Sequence, residues 1–119
     1  MKISKILVVF FVVLSASTFA QTIVQTGTFK FDWHMKDYTL DKNDGERVFQ
    51  QEVAFDKPFN VKPEVIVCVD LVDAEKTTNV RYEVRTLSVS RDGFLVQVRT
   101  WADTKLYGIG GQWMAVGVH

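Results

Sequence analysis

Apolar and polar positions alternate along much of this chain, in short stretches closed by turn-forming residues. In the stretch from Phe94 to Thr100, Phe94, Val96 and Val98 fall on one face and Gln97, Arg99 and Trp101 on the other. That period of two predicts a half-buried strand. From Val80 to Val89 the pattern repeats, with Val80, Tyr82, Val84 and Thr86 opposed to Arg81, Glu83 and Arg85. Asp92-Gly93 between these two stretches is a hairpin signal. Val48 to Phe55 sets Phe49, Val53 and Phe55 on one face, and Asp56 to Asn60 reads as a turn around Pro58. Glu64 to Val72 is nearly continuous Val, Ile and Leu and predicts the most buried strand; Cys68 within it reads as a buried, inert thiol. Gln112 to Val118 predicts a closing strand, and Thr26 to Trp33 a short one. Asp37 to Glu46, with its cluster of Asp, Asn and Gly, reads as a loop, and Asp73 to Thr78 as another.

Beyond residue 20 no stretch sustains a 3.6-residue apolar period. Six or seven short strands separated by turns predict an all-β fold, an antiparallel sandwich or barrel. The first 20 residues differ from the rest. Lys2 and Lys5 precede nine apolar residues, Ile6 to Leu14, and small residues lead to Ala20. This is the pattern of a secretory signal peptide cut after Ala20, which leaves one domain at 21–119 and implies export. The apolar run falls well below the roughly 20 residues of a membrane span.

Both lysines of the leader are removed by such a cut, leaving twelve bases against fourteen acids, a net charge of −2. That balance disfavours nucleic acid or an anionic membrane as partner. One cysteine cannot form a disulfide within the chain. A domain this small buries a modest share of its surface, so self-association is the available substitute.

Few residues point to chemistry. His34 and His119 are far apart, and no zinc spacing, phosphate loop, nucleophile elbow or calcium loop occurs. Trp101 is either an exposed platform beside Arg99, for a sugar or a subunit, or a plug closing the end of the sandwich. Arg81 belongs either to a solvated strand face or to a site that donates a guanidinium fork to hydroxyls. Asp44 either turns its loop or accepts from vicinal hydroxyls. Asp103 and Thr104 read as a local side-chain turn. Tyr107 fits core, interface or ligand contact.

The order of short pieces carries a further signal. Glu52-Val53-Ala54-Phe55, Lys57-Pro58-Phe59, Pro63-Glu64-Val65, Asn79-Val80-Arg81, Gly93-Phe94, Thr100-Trp101, Thr104-Lys105, Tyr107 and Trp113 follow one another over residues 44–116. In that order and spacing the chain resembles the H-type lectin domain family, which includes snail agglutinins and the C-terminal domain of discoidins. The resemblance implies a six-stranded antiparallel β-sandwich, assembly as a homotrimer, and metal-free binding of galactose or N-acetylgalactosamine in clefts between protomers. It implies no cofactor and no catalysis. Carried over, it makes Asp44 the hydroxyl acceptor, Arg81 the donor, and Trp101 with Tyr107 the walls. Ala102 stands where snail agglutinins carry a sugar-holding histidine. That departure leaves a second expectation, a structural or adhesion sandwich whose sugar site is lost. A secreted hydrolase is a third and weaker one.

Overall fold

The computed structural model describes residues 21–118; the predicted leader at 1–20 and His119 lie outside the described residues. Six strands follow in order: β1 (Thr22–Asp32), β2 (Arg47–Ala54), β3 (Glu64–Ala74), β4 (Tyr82–Leu87), β5 (Gly93–Thr100) and β6 (Leu106–Val118). They form two three-stranded sheets, ordered β1-β6-β3 and β2-β5-β4, with every neighbouring pair antiparallel. Of the sandwich or barrel expected from the alternation, the chain adopts the sandwich, with the six strands that the resemblance implied.

β5 shows why. Phe94, Val96, Val98 and Thr100 are buried, and the residues between them are partly covered. β6 is central to the other sheet and contributes Ile109, Trp113 and Ala115 to the core. Rings pack across the two sheets: Phe94 on β5 meets Trp113 on β6 edge-on at 5.3 Å, and Phe55, just past β2, meets the same indole at 5.9 Å. Such pairs add about 0.5–1.5 kcal/mol each beyond their burial.

Several sequence expectations need correction. β3 is an edge strand, not the most buried one. Val65, Val67 and Val69 face the core, whereas Ile66 and Cys68 are exposed, and a bulge after Val69 also leaves Leu71 and Val72 outside. Cys68 is therefore an exposed thiol. A continuous apolar run signals a strand covered on both faces only if both faces are covered within the chain.

β6 begins six residues earlier than the Gln112 start read from sequence, because Gly108, Gly110 and Gly111 look like breakers. Gly111 is there for close approach: a Cβ would collide with the backbone carbonyl of Cys68 on β3. The Asp92-Gly93 pair does not form the tight turn expected of it. The hairpin link spans residues 88–92, and Ser88, not Gly93, takes the positive φ of 51°. Gly93 opens β5 where a side chain would strike the Val53 carbonyl.

β4 starts at Tyr82, leaving Val80 exposed and outside the strand. β1, in contrast, is longer than the weak alternation suggested, pairing along its whole length with β6.

Candidate functional site

The topology brings three connections to one end of the sandwich: residues 33–46 between β1 and β2, 75–81 between β3 and β4, and 101–105 between β5 and β6. All five residues singled out from sequence lie at this end.

Arg47 holds the end together, and the sequence reading missed it. It is 7% exposed, and its guanidinium donates only to backbone carbonyls. Nη1 reaches Thr104 at 2.7 Å and Lys42 at 3.0 Å, Nε reaches Gly45 at 2.9 Å, and Nη2 reaches Ala102 at 3.2 Å. A longer bond of 3.3 Å goes to Leu40. One side chain thus fixes the 33–46 loop to the 101–105 loop. The sequence held a signal for it: Arg47 has the same parity as the core-facing Phe49, Val53 and Phe55. A charge on an apolar face is the informative exception to burial rules.

Thr104 ties in the third connection. It is fully buried; its hydroxyl donates to Asn79 O at 2.8 Å and accepts from Arg81 N at 3.0 Å. This replaces the local turn expected of Asp103 and Thr104, and it occupies the Arg81 amide just before β4 begins. Beneath these loops Tyr38 and Leu40 close the core. The Tyr38 hydroxyl donates to Leu106 O at 2.8 Å, and burial pushes its pKa well above the ordinary phenol value.

On this frame the polar residues form two ion pairs, joined through the Asp103 backbone carbonyl. Lys105 Nζ donates to Asp44 Oδ1 at 2.6 Å and to the carbonyls of Asn43 and Asp103. Arg81 Nη1 meets Asp103 Oδ1 at 3.3 Å. The sequence Asp44, Lys105, Asp103, Arg81 therefore runs along the rim. The hydrogen bond and charge of Lys105 hold the Asp44 carboxyl below its usual range, while its side chain stays 77% exposed. Neighbouring these pairs, the Tyr107 hydroxyl donates to Glu75 Oε2 at 2.8 Å. That bond lowers the Glu75 pKa, with help from Thr77, and raises that of Tyr107.

Trp101 is half-buried and does not plug the sandwich, which Thr100 and Thr104 close. The Arg99 guanidinium lies 4.6 Å from its ring centroid and is itself held by Glu46 at 3.0 Å. Such a cation–π contact fixes the indole plane. Ala102 is exposed and adopts a left-handed φ of 59°, a region disfavoured for residues with a Cβ. Its carbonyl accepts from Gly45 N at 2.9 Å as well as from Arg47, which holds the strained turn in place. Asp37 and Asn43, at the same end, also have positive φ. Backbone strain of this kind gathers at functional sites.

Among the described residues no three of His, Cys, Asp and Glu gather as a metal-binding group, and no helix is long and apolar enough to cross a membrane. An open groove of about 380 Å³ lies at the opposite end of the sandwich, lined by residues including Val53, Ser88, Asp92 and Phe94. None of the five candidates lines it. No ion pair is found among its lining residues.

Comparison with known proteins agrees with this architecture. The model of the H-type lectin domain family matches residues 50–116, more than half of the chain. The chain belongs to that family. Its fold is similar to solved structures of discoidin II from Dictyostelium discoideum: one of the recombinant protein, with a TM-score of 0.72 at 23% identity, and one of the wild-type protein, with 0.72 at 24%. The alignments cover 87% and 83% of this chain but only 40% and 38% of the discoidin chains. A curated relative, ATP synthase subunits region ORF 7 of Fuscovulum blasticum, is 30% identical over 73 residues. That match takes in 61% of this chain and 64% of the relative, so the chain spans less than two thirds of its length.

Proposed function

We propose that this protein is an exported, non-enzymatic lectin that binds galactose- or N-acetylgalactosamine-type glycans at the loop end, without metal, as a homotrimer. The observation that carries the reading is the pair of surface ion pairs Asp44–Lys105 and Asp103–Arg81, joined through the Asp103 backbone and set beside Trp101 and Tyr107, in a chain of a lectin family. Lys105 engages one oxygen of Asp44, and the exposed carboxylate then accepts from two vicinal sugar hydroxyls. Arg81 donates from the other side. Charge-assisted bonds of this type are stronger than neutral ones and read hydroxyl stereochemistry. The indole of Trp101 stacks on the apolar C–H face of the ring. The leader at 1–20 supports export.

Assembly has its own support. On the outer face of the β1-β6-β3 sheet, Ile66 and Met114 are paired in register and are 59% and 39% exposed; Val24, 53% exposed, lies on the neighbouring strand. An apolar sheet face of this kind suits burial against identical copies in a small domain without a disulfide. Light scattering on residues 21–119 should give about three times the chain mass. Ile66→Glu should lower it to that of a monomer. A wild-type monomer at micromolar concentration would count against the trimer.

Three sites on one rigid assembly raise avidity for clustered glycans by roughly 10²–10⁴. With no acidic cluster among the described residues to serve as a calcium site, glycan binding should be unchanged by chelator. Loss in EDTA with recovery on adding calcium would contradict the proposed mode.

Ala102 favours a second reading, an adhesion sandwich without a sugar site, because its methyl group offers no hydrogen bond where a histidine would. Retention on a galactose-affinity column separates the two: retarded elution supports the lectin, elution in the void volume the adhesion protein.

A further inference from the structure

Trp33 is an exposed tryptophan at the loop end, outside the ion pairs and walls of the proposed site. It is 54% exposed, and its ring stacks on that of His34 with centroids 3.8 Å apart and planes 28° from parallel. By strand parity it would follow Phe29 and Phe31 into the core. The chain turns at residues 33–36 instead, and Tyr38 and Leu40 fill the space below.

The turn is built to hold this pair in place. The Asp32 carboxylate accepts from His34 N at 3.0 Å and lies 3.3 Å from His34 Nδ1. Met35 N donates back to Asp32 O at 3.1 Å. Trp33 N donates to Tyr107 O at 3.0 Å, so the backbone that carries the indole runs beside that of a wall residue of the proposed sugar site. A large apolar ring fixed in solvent loses little entropy on binding and offers a face for stacking.

We propose that Trp33, backed by His34, is a second sugar platform. It stacks on the residue that follows the terminal sugar in a bound oligosaccharide, and so selects extended glycans over monosaccharides. This rests on the loop end being the glycan site. Trp33 touches none of the charged groups assigned to the terminal sugar, so its contribution should appear only with longer ligands.

The test is calorimetric titration of wild type, Trp33→Ala and Trp33→Phe with N-acetylgalactosamine and with a trisaccharide that ends in it, alongside light scattering of each variant. Wild type should bind the trisaccharide more tightly than the monosaccharide. Trp33→Ala should bind the monosaccharide as wild type does and lose about 2- to 10-fold in trisaccharide affinity, the range for one aromatic stack. Trp33→Phe should recover part of that loss. An unchanged trisaccharide-to-monosaccharide ratio in Trp33→Ala would overturn the platform while leaving the lectin reading intact. A drop in mass for Trp33→Ala would make the pair a subunit contact and also overturn it. No binding of either sugar to wild type would sink both readings.

Discussion

Arg47→Ala should cost about 3–5 kcal/mol of folding stability, the scale for dismantling a buried network of bonds to a charged group. The guanidinium donates to five carbonyls of two loops; its removal strands the buried Thr104 carbonyl, exposes those of Lys42 and Gly45 to water, and leaves those of Leu40 and Ala102 with one backbone partner each. The Thr104 carbonyl accepts the shortest of these bonds, at 2.7 Å, and loses most. Since domains of this size are stable by only about 5–15 kcal/mol, the variant should sit near the edge of folding. Arg47→Lys should recover little, because an ammonium is a point charge and cannot match the fork. Urea denaturation at fixed protein concentration measures both, and the concentration matters because any self-association would add to apparent stability. A loss under about 1 kcal/mol in Arg47→Ala would show that the loops hold their geometry without it.

Asp44→Ala and Arg81→Ala should each weaken glycan binding by about 1.5–3 kcal/mol, the range for hydrogen bonds to charged groups. In affinity that is about ten-fold to over a hundred-fold. Both side chains are exposed, and their ion pairs with Lys105 and Asp103 lie at the surface. Surface pairs contribute little to stability, so the melting temperatures should barely move. The Arg81 backbone bond to Thr104 survives truncation of its side chain, which keeps the 75–81 loop anchored. Calorimetry with galactose and N-acetylgalactosamine, paired with thermal unfolding, separates a binding role from a structural one. Unchanged affinity in both variants would move the pocket elsewhere. Unfolding of either would make that residue part of the framework.

The strands were legible wherever side chains alternate against a single core. β2 and β5 could be read from their parity alone, because each has one face packed and one face open. β3 was misread because its composition reports burial on both faces, and the outer face has no cover within the chain. The same error placed Cys68 inside. The start of β6 was hidden by glycines, whose role is backbone approach across the sheet and leaves no hydrophobic trace.

At the loop end, residue types suggested the candidates but not their partners. Asp44 and Lys105 are 61 positions apart, and Arg81 and Asp103 are 22 apart. No local spacing reveals such pairs. The two hydrogen bonds of the Thr104 hydroxyl to the 75–81 loop depend likewise on the crossing of two connections. Arg47 was the one framework residue within reach of sequence reasoning, as a lone charge in an inward register.

The central claim is that a galactose-type sugar occupies the loop end. Backbone amide NMR of residues 21–119, titrated with N-acetylgalactosamine, tests it most directly. The account predicts shifts concentrated at residues 43–45, 79–81 and 101–107, unaffected by EDTA. Shifts at Val53, Ser88 and Asp92, in the groove at the far end, or no shifts at millimolar sugar, would contradict it.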